Sequence, residues 1–125
     1  MTKHKFVTEF PFKTSPKVLF NYINSAGGLQ QWFANHVSID SDQNYIFEWD
    51  ETLHKATHVS RPGKSARFDF LDADEGNSLE FKLILGELDG STYLRISDTS
   101  DNDDDDELQD LWEGLISDLK DIVGG

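Results

Sequence analysis

The chain has 125 residues, 37% of them hydrophobic and including 9 Phe, 3 Trp and 3 Tyr, enough for one domain that buries roughly two-thirds of its unfolded surface and too little for a second. Its 24 acidic residues outweigh 11 scattered basic ones to give a formal charge of -13, which excludes a surface able to displace counterions from nucleic-acid phosphates or to dock on anionic lipid. The absence of Cys excludes disulfides, thiolate catalysis and zinc-thiolate sites, and no apolar run approaches the ~18 residues of a membrane span.

Residues 1–5 lead into a strand pattern rather than a signal-peptide core, so a cytoplasmic location is expected. Residues 5–12 alternate, with Phe6, Phe10 and Phe12 on one face of a half-buried strand, and Pro11 places its end at a sheet edge. Ser15 is set to cap a helix whose first turn Pro16 fixes, with Val18, Leu19, Tyr22 and Ile23 as the buried face. Gly27 and Gly28 are expected to break it, and Leu29, Trp32 and Phe33 to form a second short helix.

From Val37 onward the pattern is β. Tyr45, Phe47 and Trp49 share one face, Asp50 and Glu51 turn the chain into a strand over residues 53–60, and residues 61–64 turn it again. Ala66, Phe68 and Phe70 then alternate with Arg67 and Asp69. After a polar loop at residues 72–77 come Leu79, Phe81, Leu83 and Leu85, a turn at residues 88–91 and a last strand over residues 92–98. An acidic run, residues 101–107, precedes Leu108, Leu111, Trp112, Leu115, Ile116, Leu119 and Ile122, which recur at i, i+3, i+4, i+7 as the apolar stripe of a helix. A closing helix after a run of strands needs a sheet to cover. The expected fold is therefore α+β, a single domain over residues 1–125: an antiparallel sheet of about six strands, two short helices after strand one, and a long C-terminal helix packed across the sheet.

At the level of short strings, Ser15-Pro16, residues 28–34 (GLQQWFA), Phe47-Glu48-Trp49, residues 66–70 (ARFDF), Leu79-Glu80-Phe81, residues 87–92 (ELDGST) and Trp112 with Leu115 stand in an order and spacing that resemble the START-like or SRPBCC superfamily. The resemblance is strongest to the branch related to activators of the heat-shock-chaperone ATPase, and within it to small stand-alone START-like proteins of Bacteroidetes. It covers essentially the whole chain. It implies a helix-grip fold, a sheet curved around the long helix with an internal hydrophobic cavity, and it implies no particular ligand.

Little in the sequence points to reaction chemistry. Asp101, Asp103 and Asp105 carry the oxygen ligands a calcium ion takes, but reading them as an EF-hand puts Asp106 where the loop requires Gly and Trp112 where it requires a bidentate Glu. Acids ahead of a helix complement its positive N-terminus, and that reading is preferred. His54 and His58 would lie about 13 Å apart on a strand, too far to share an ion, and His58 is expected to be an ordinary surface residue rather than an inward-facing polar group. Glu48 and Glu80 are expected to face solvent. A hydrolase elbow, a triad signature and a phosphate loop are absent, so no catalytic residue, cofactor or metal is assigned.

The aromatic residues are what remain, and they are core residues before they are anything else. With the implied cavity in view, Trp32, Phe33, Phe47, Trp49, Phe68, Phe70, Phe81, Leu94, Trp112, Leu115 and Ile116 are the candidate lining for an apolar or amphipathic small molecule. A non-enzymatic binding module is thus the first functional reading. A protein-interaction domain offering an acidic surface to a basic partner is the second. An enzyme of cyclase or hydratase type is the third, since it would need inward polar groups for which only Tyr45, His58, Tyr93 and Arg95 are nominees.

Overall fold

The computed structural model describes residues 3–86 and 90–125, and the turn expected at residues 88–91 falls partly outside them. The elements run β1 (His4–Phe12), α1 (Pro16–Asn24), α2 (Ala26–Gln30), β2 (His36–Ile39), β3 (Tyr45–Trp49), β4 (Thr52–Arg61), β5 (Ser65–Phe70), a 3-10 turn (Asp72–Asp74), β6 (Ser78–Leu85), β7 (Thr92–Ser100) and α3 (Asp105–Val123). Among the described residues seven strands form one antiparallel sheet in the order β1-β7-β6-β5-β4-β3-β2. The strand beyond the expected six is β2, a four-residue segment whose His36 and Ser38 hide its alternation; it pairs Val37 with Phe47.

Neighbours in sequence are neighbours in the sheet, except that β1 returns to pair with β7 from His4↔Ser100 to Phe12↔Thr92. This puts Pro11 on an edge strand, where its missing N–H takes nothing from an interior ladder. The β3–β4 turn is tight because Asp50 and Glu51 both adopt positive φ (50° and 67°), the backbone of a two-residue hairpin.

The helix pair departs from expectation at its joint. Ser15 Oγ accepts from the Val18 amide at 3.3 Å and Pro16 opens α1 as foreseen, with Leu19 and Ile23 fully buried but Val18 left exposed. The break falls at Ser25, not at the glycines. Ser25 Oγ donates to the Asn21 carbonyl at 2.8 Å and accepts from the Gly28 amide at 3.0 Å, so one hydroxyl ends α1 and caps α2. Gly27 and Gly28 lie inside α2, and a Cβ on Gly28 would stand 2.4 Å from the Asn21 carbonyl oxygen. Trp32 and Phe33 follow the end of α2 in a turn rather than lying on it.

In α3, Asp104 Oδ1 accepts from the Glu107 amide at 3.1 Å, and Asp105, Asp106 and Glu107 occupy the first turn, where they complement the helix dipole. Gly124, at φ 88°, closes the other end. The buried stripe is Leu108, Trp112, Ile116 and Leu119, while Leu111 and Ile122 are exposed and Leu115 is half-buried. Those three lie toward one edge of the apolar arc, so the sheet covers the helix to one side only. Leu85, expected inside, is also exposed at the end of β6. Between α3, the helix pair and the sheet, Phe47, Phe68, Phe81, Leu94 and Ile96 are fully buried in one cluster.

Candidate functional site

Beside the half-covered edge of α3 lies a cavity of about 620 Å³, bounded by the turn after α2, the ends of β3, β5 and β7, and the start of β6. Six of the eleven candidate lining residues are brought to it: Trp32, Phe33, Trp49, Phe70, Trp112 and Leu115. The other five, Phe47, Phe68, Phe81, Leu94 and Ile116, are not on its wall but sealed in the adjoining core, none more than 2% exposed.

The aromatic wall is built around Phe33. Its ring stacks on Trp112, with centroids 5.8 Å apart and planes at 13°, and meets Trp49 and Phe47 edge-on at 5.1 and 5.5 Å. Each indole is held by its N–H. Trp32 donates to the Tyr22 carbonyl at 2.9 Å, Trp49 to the Phe33 carbonyl at 2.8 Å, and Trp112 to Asp98 Oδ2 at 3.0 Å. Rings tied at both edge and face keep the cavity shape without a ligand to define it.

Asp98 is the polar residue that sequence reasoning missed. On β7 the inward alternation of Thr92, Leu94 and Ile96 continues to Asp98 and Ser100, so the signal lay in extending the period past the last apolar residue. Burial pushes the Asp98 carboxyl above the usual carboxylate range, and the hydrogen bond from Trp112 partly opposes this. Asn77, Ser78, Thr99 and Ser100 join it on the wall, with Ser78 paired to Thr99 and Leu79 to Asp98. Exposed Asp50, Leu111 and Asp118 form part of the rim.

The polar nominees sit elsewhere. Arg95 faces outward and its Nε donates to Glu9 Oε2 at 2.7 Å; Tyr93 shares that outer face. His58 faces inward, correcting the surface expectation. Its ring stacks between Tyr45 (4.4 Å) and Phe68 (5.2 Å), its Nε2 bonds Asn24 Oδ1 at 2.8 Å, and burial lowers its pKa from the ordinary 6.5. Tyr45 donates its hydroxyl to the Asn24 carbonyl at 2.8 Å, so both tie β3 and β4 to the end of α1, away from the cavity. His54 Nδ1 pairs with Asp74 Oδ2 at 2.7 Å. Among the described residues no group of three or more His, Asp or Glu side chains converges as metal ligands, and no helix is long and apolar enough to cross a membrane.

A curved antiparallel sheet gripping one long helix, with two short helices after the first strand and a cavity between the layers, is the helix-grip arrangement. The chain belongs to the START-like superfamily, whose domain profile matches residues 1–125. No curated protein matches it in sequence. Among solved structures it is similar to the Aha1 dimer protein of Colwellia psychrerythraea, at 17% identity over 96% of each chain with a TM-score of 0.76. It is also similar to MLL2253 of Mesorhizobium loti, at 12% identity over 97% of each chain with a TM-score of 0.76, and to BH1534 of Bacillus halodurans, at 17% over 98% of this chain and 99% of that one with a TM-score of 0.73. At such identities the likeness is one of fold.

Proposed function

We propose that the domain is a non-enzymatic, cytoplasmic binding module that holds a hydrophobic or amphipathic small molecule in the cavity between the sheet and α3. The observation that carries this reading is the cavity itself: about 620 Å³, within the range of small-molecule sites, walled by Trp32, Phe33, Trp49, Phe70 and Trp112. Phe47, Phe68 and Phe81 on the same sheet face are fully buried in the adjoining core. Displacement of the neutral dye Nile red, with native mass spectrometry of the purified protein for a co-purifying molecule, tests it. Saturable dye binding of roughly micromolar affinity is expected; dye uptake that never saturates refutes the reading.

A second reading, docking of a basic protein partner, is favoured by the exposed side of α3, which carries Asp106, Asp110, Glu113, Asp118 and Asp121. It predicts salt-sensitive binding to a basic partner that survives when the cavity is filled.

A further inference from the structure

We propose that the cavity selects amphiphiles whose polar end is a cation, an ammonium or amine group received by Asp98, and rejects carboxylates such as fatty acids. This rests on the reading of the cavity as a small-molecule site and names the chemistry of its ligand.

The wall has one sign of charge. Asp50, Asp98 and Asp118 are its ionisable residues, and among the described residues none of the 11 Lys and Arg side chains reaches it. Four of these bases are paired elsewhere: Arg67 with Asp69 and Arg95 with Glu9 on the outer sheet face, Lys3 with Asp101, Lys55 with Asp40. A bound carboxylate would therefore lose its hydration with no opposite charge or cationic donor to replace it, and would lie near three like charges.

An ammonium group meets the opposite conditions. Asp98 Oδ2 accepts from Trp112 Nε1 at 3.0 Å, and its Oδ1 takes no hydrogen bond from a described residue. One oxygen thus fixes the carboxylate and the other is left to accept. The indole that fixes it is also cavity wall, and Trp32, Trp49, Phe33 and Phe70 add aromatic surface to the same wall for the apolar body of the ligand. The charged group at the polar end of the cavity is the acceptor Asp98, much of the wall is aromatic, and the complement of both is a donor cation on an apolar body.

The test uses three probes of one length, octylamine, octanol and octanoate, displacing Nile red from the whole protein at pH 7 and near-physiological salt. Octylamine is expected to bind at least about tenfold more tightly than octanoate, with octanol between them. In Asp98→Asn, which keeps an acceptor for Trp112, the amine preference should fall to within about threefold, with a native circular-dichroism spectrum confirming that the fold is intact. In Asp103→Asn, which removes an equal charge from a residue of the acidic run that does not line the wall, the preference should be unchanged. Octanoate binding as tightly as octylamine, or Asp103→Asn reducing the preference as much as Asp98→Asn, overturns the proposal while leaving the cavity reading in place. Failure of all three probes to displace the dye, octanol included, overturns both.

Discussion

Phe68 and Phe70 lie two residues apart on β5 and face the same way, yet Phe68 is fully buried and Phe70 is a partly exposed cavity wall. The same step occurs on β3 from Phe47 to Trp49 and on β7 from Ile96 to Asp98. Because alternate strands of an antiparallel sheet run in the same direction, all three steps point toward one end of the sheet. The concave face therefore has a closed half, roofed by α1, α2 and the buried stripe of α3, and an open half bordered by the turn after α2, by Trp112 and by the edge of α3 carrying Leu111 and Leu115. Side-chain alternation is continuous across both. What changes is the roof.

The largest expected contrast is between the two phenylalanines in those halves. Phe81→Ala should cost about 3–5 kcal/mol, because a fully buried ring leaves a cavity its neighbours cannot close. Phe70→Ala should cost roughly 1–2 kcal/mol, since it removes less surface from water and enlarges a space already present. Urea denaturation measures both, and equal losses would abolish the distinction between core and wall.

The roof of the closed half is tested next. A methyl group on Gly28 would stand 2.4 Å from the Asn21 carbonyl oxygen and 2.7 Å from Tyr22 Cα, both backbone atoms, so Gly28→Ala should destabilise by about 1–3 kcal/mol. Gly27→Ala meets nothing within 4 Å and should be neutral or slightly stabilising through helix propensity. If the two glycines behave alike in thermal unfolding, the tight seat of α2 on α1 is not what holds the roof.

This division explains what was legible in the sequence. Period-two alternation and the i, i+3, i+4 stripe report which face a residue occupies, and they carry the α+β class, the order of elements, about six strands and the long closing helix, while the helix-grip arrangement comes from the family resemblance. They say nothing about position along a strand relative to a roof built from distant sequence. Hence Trp49 and Phe70 were grouped with Phe47 and Phe68, though only the first two line the cavity. Asp98 carries no apolar signal of its own, although the period of Leu94 and Ile96 leads directly to it. The helix break was assigned to Gly27 and Gly28 by conformational preference, whereas the Ser25 hydroxyl, by bonding to backbone on both sides, places it two residues earlier.

Converting the open half into a closed one is the third test. Leu115 is half-buried on the cavity side of α3, and Leu115→Trp should fill that space with little change in melting temperature, since the added ring has room. Nile red affinity should fall about tenfold or more. Dye binding that survives this substitution would place the bound molecule elsewhere on the protein.

The smallest effect is expected from the carboxyl itself, and its sign is what informs. Burial raises the pKa of Asp98 in the folded protein above the 3.8 usual for the group, and the hydrogen bond from Trp112 partly opposes this. A raised folded-state value means the folded chain holds this proton more tightly than the unfolded chain does. Its contribution to stability is therefore fully present below the unfolded value and is lost as pH rises through the folded one. Asp98→Asn imitates the protonated group and keeps an acceptor for Trp112 Nε1. Variant and parent should match at about pH 3.5, and the variant should become the more stable of the two as pH approaches 7. Urea denaturation at a series of pH values reads the difference. A variant that instead loses ground as pH rises would mean that the Trp112 hydrogen bond outweighs desolvation.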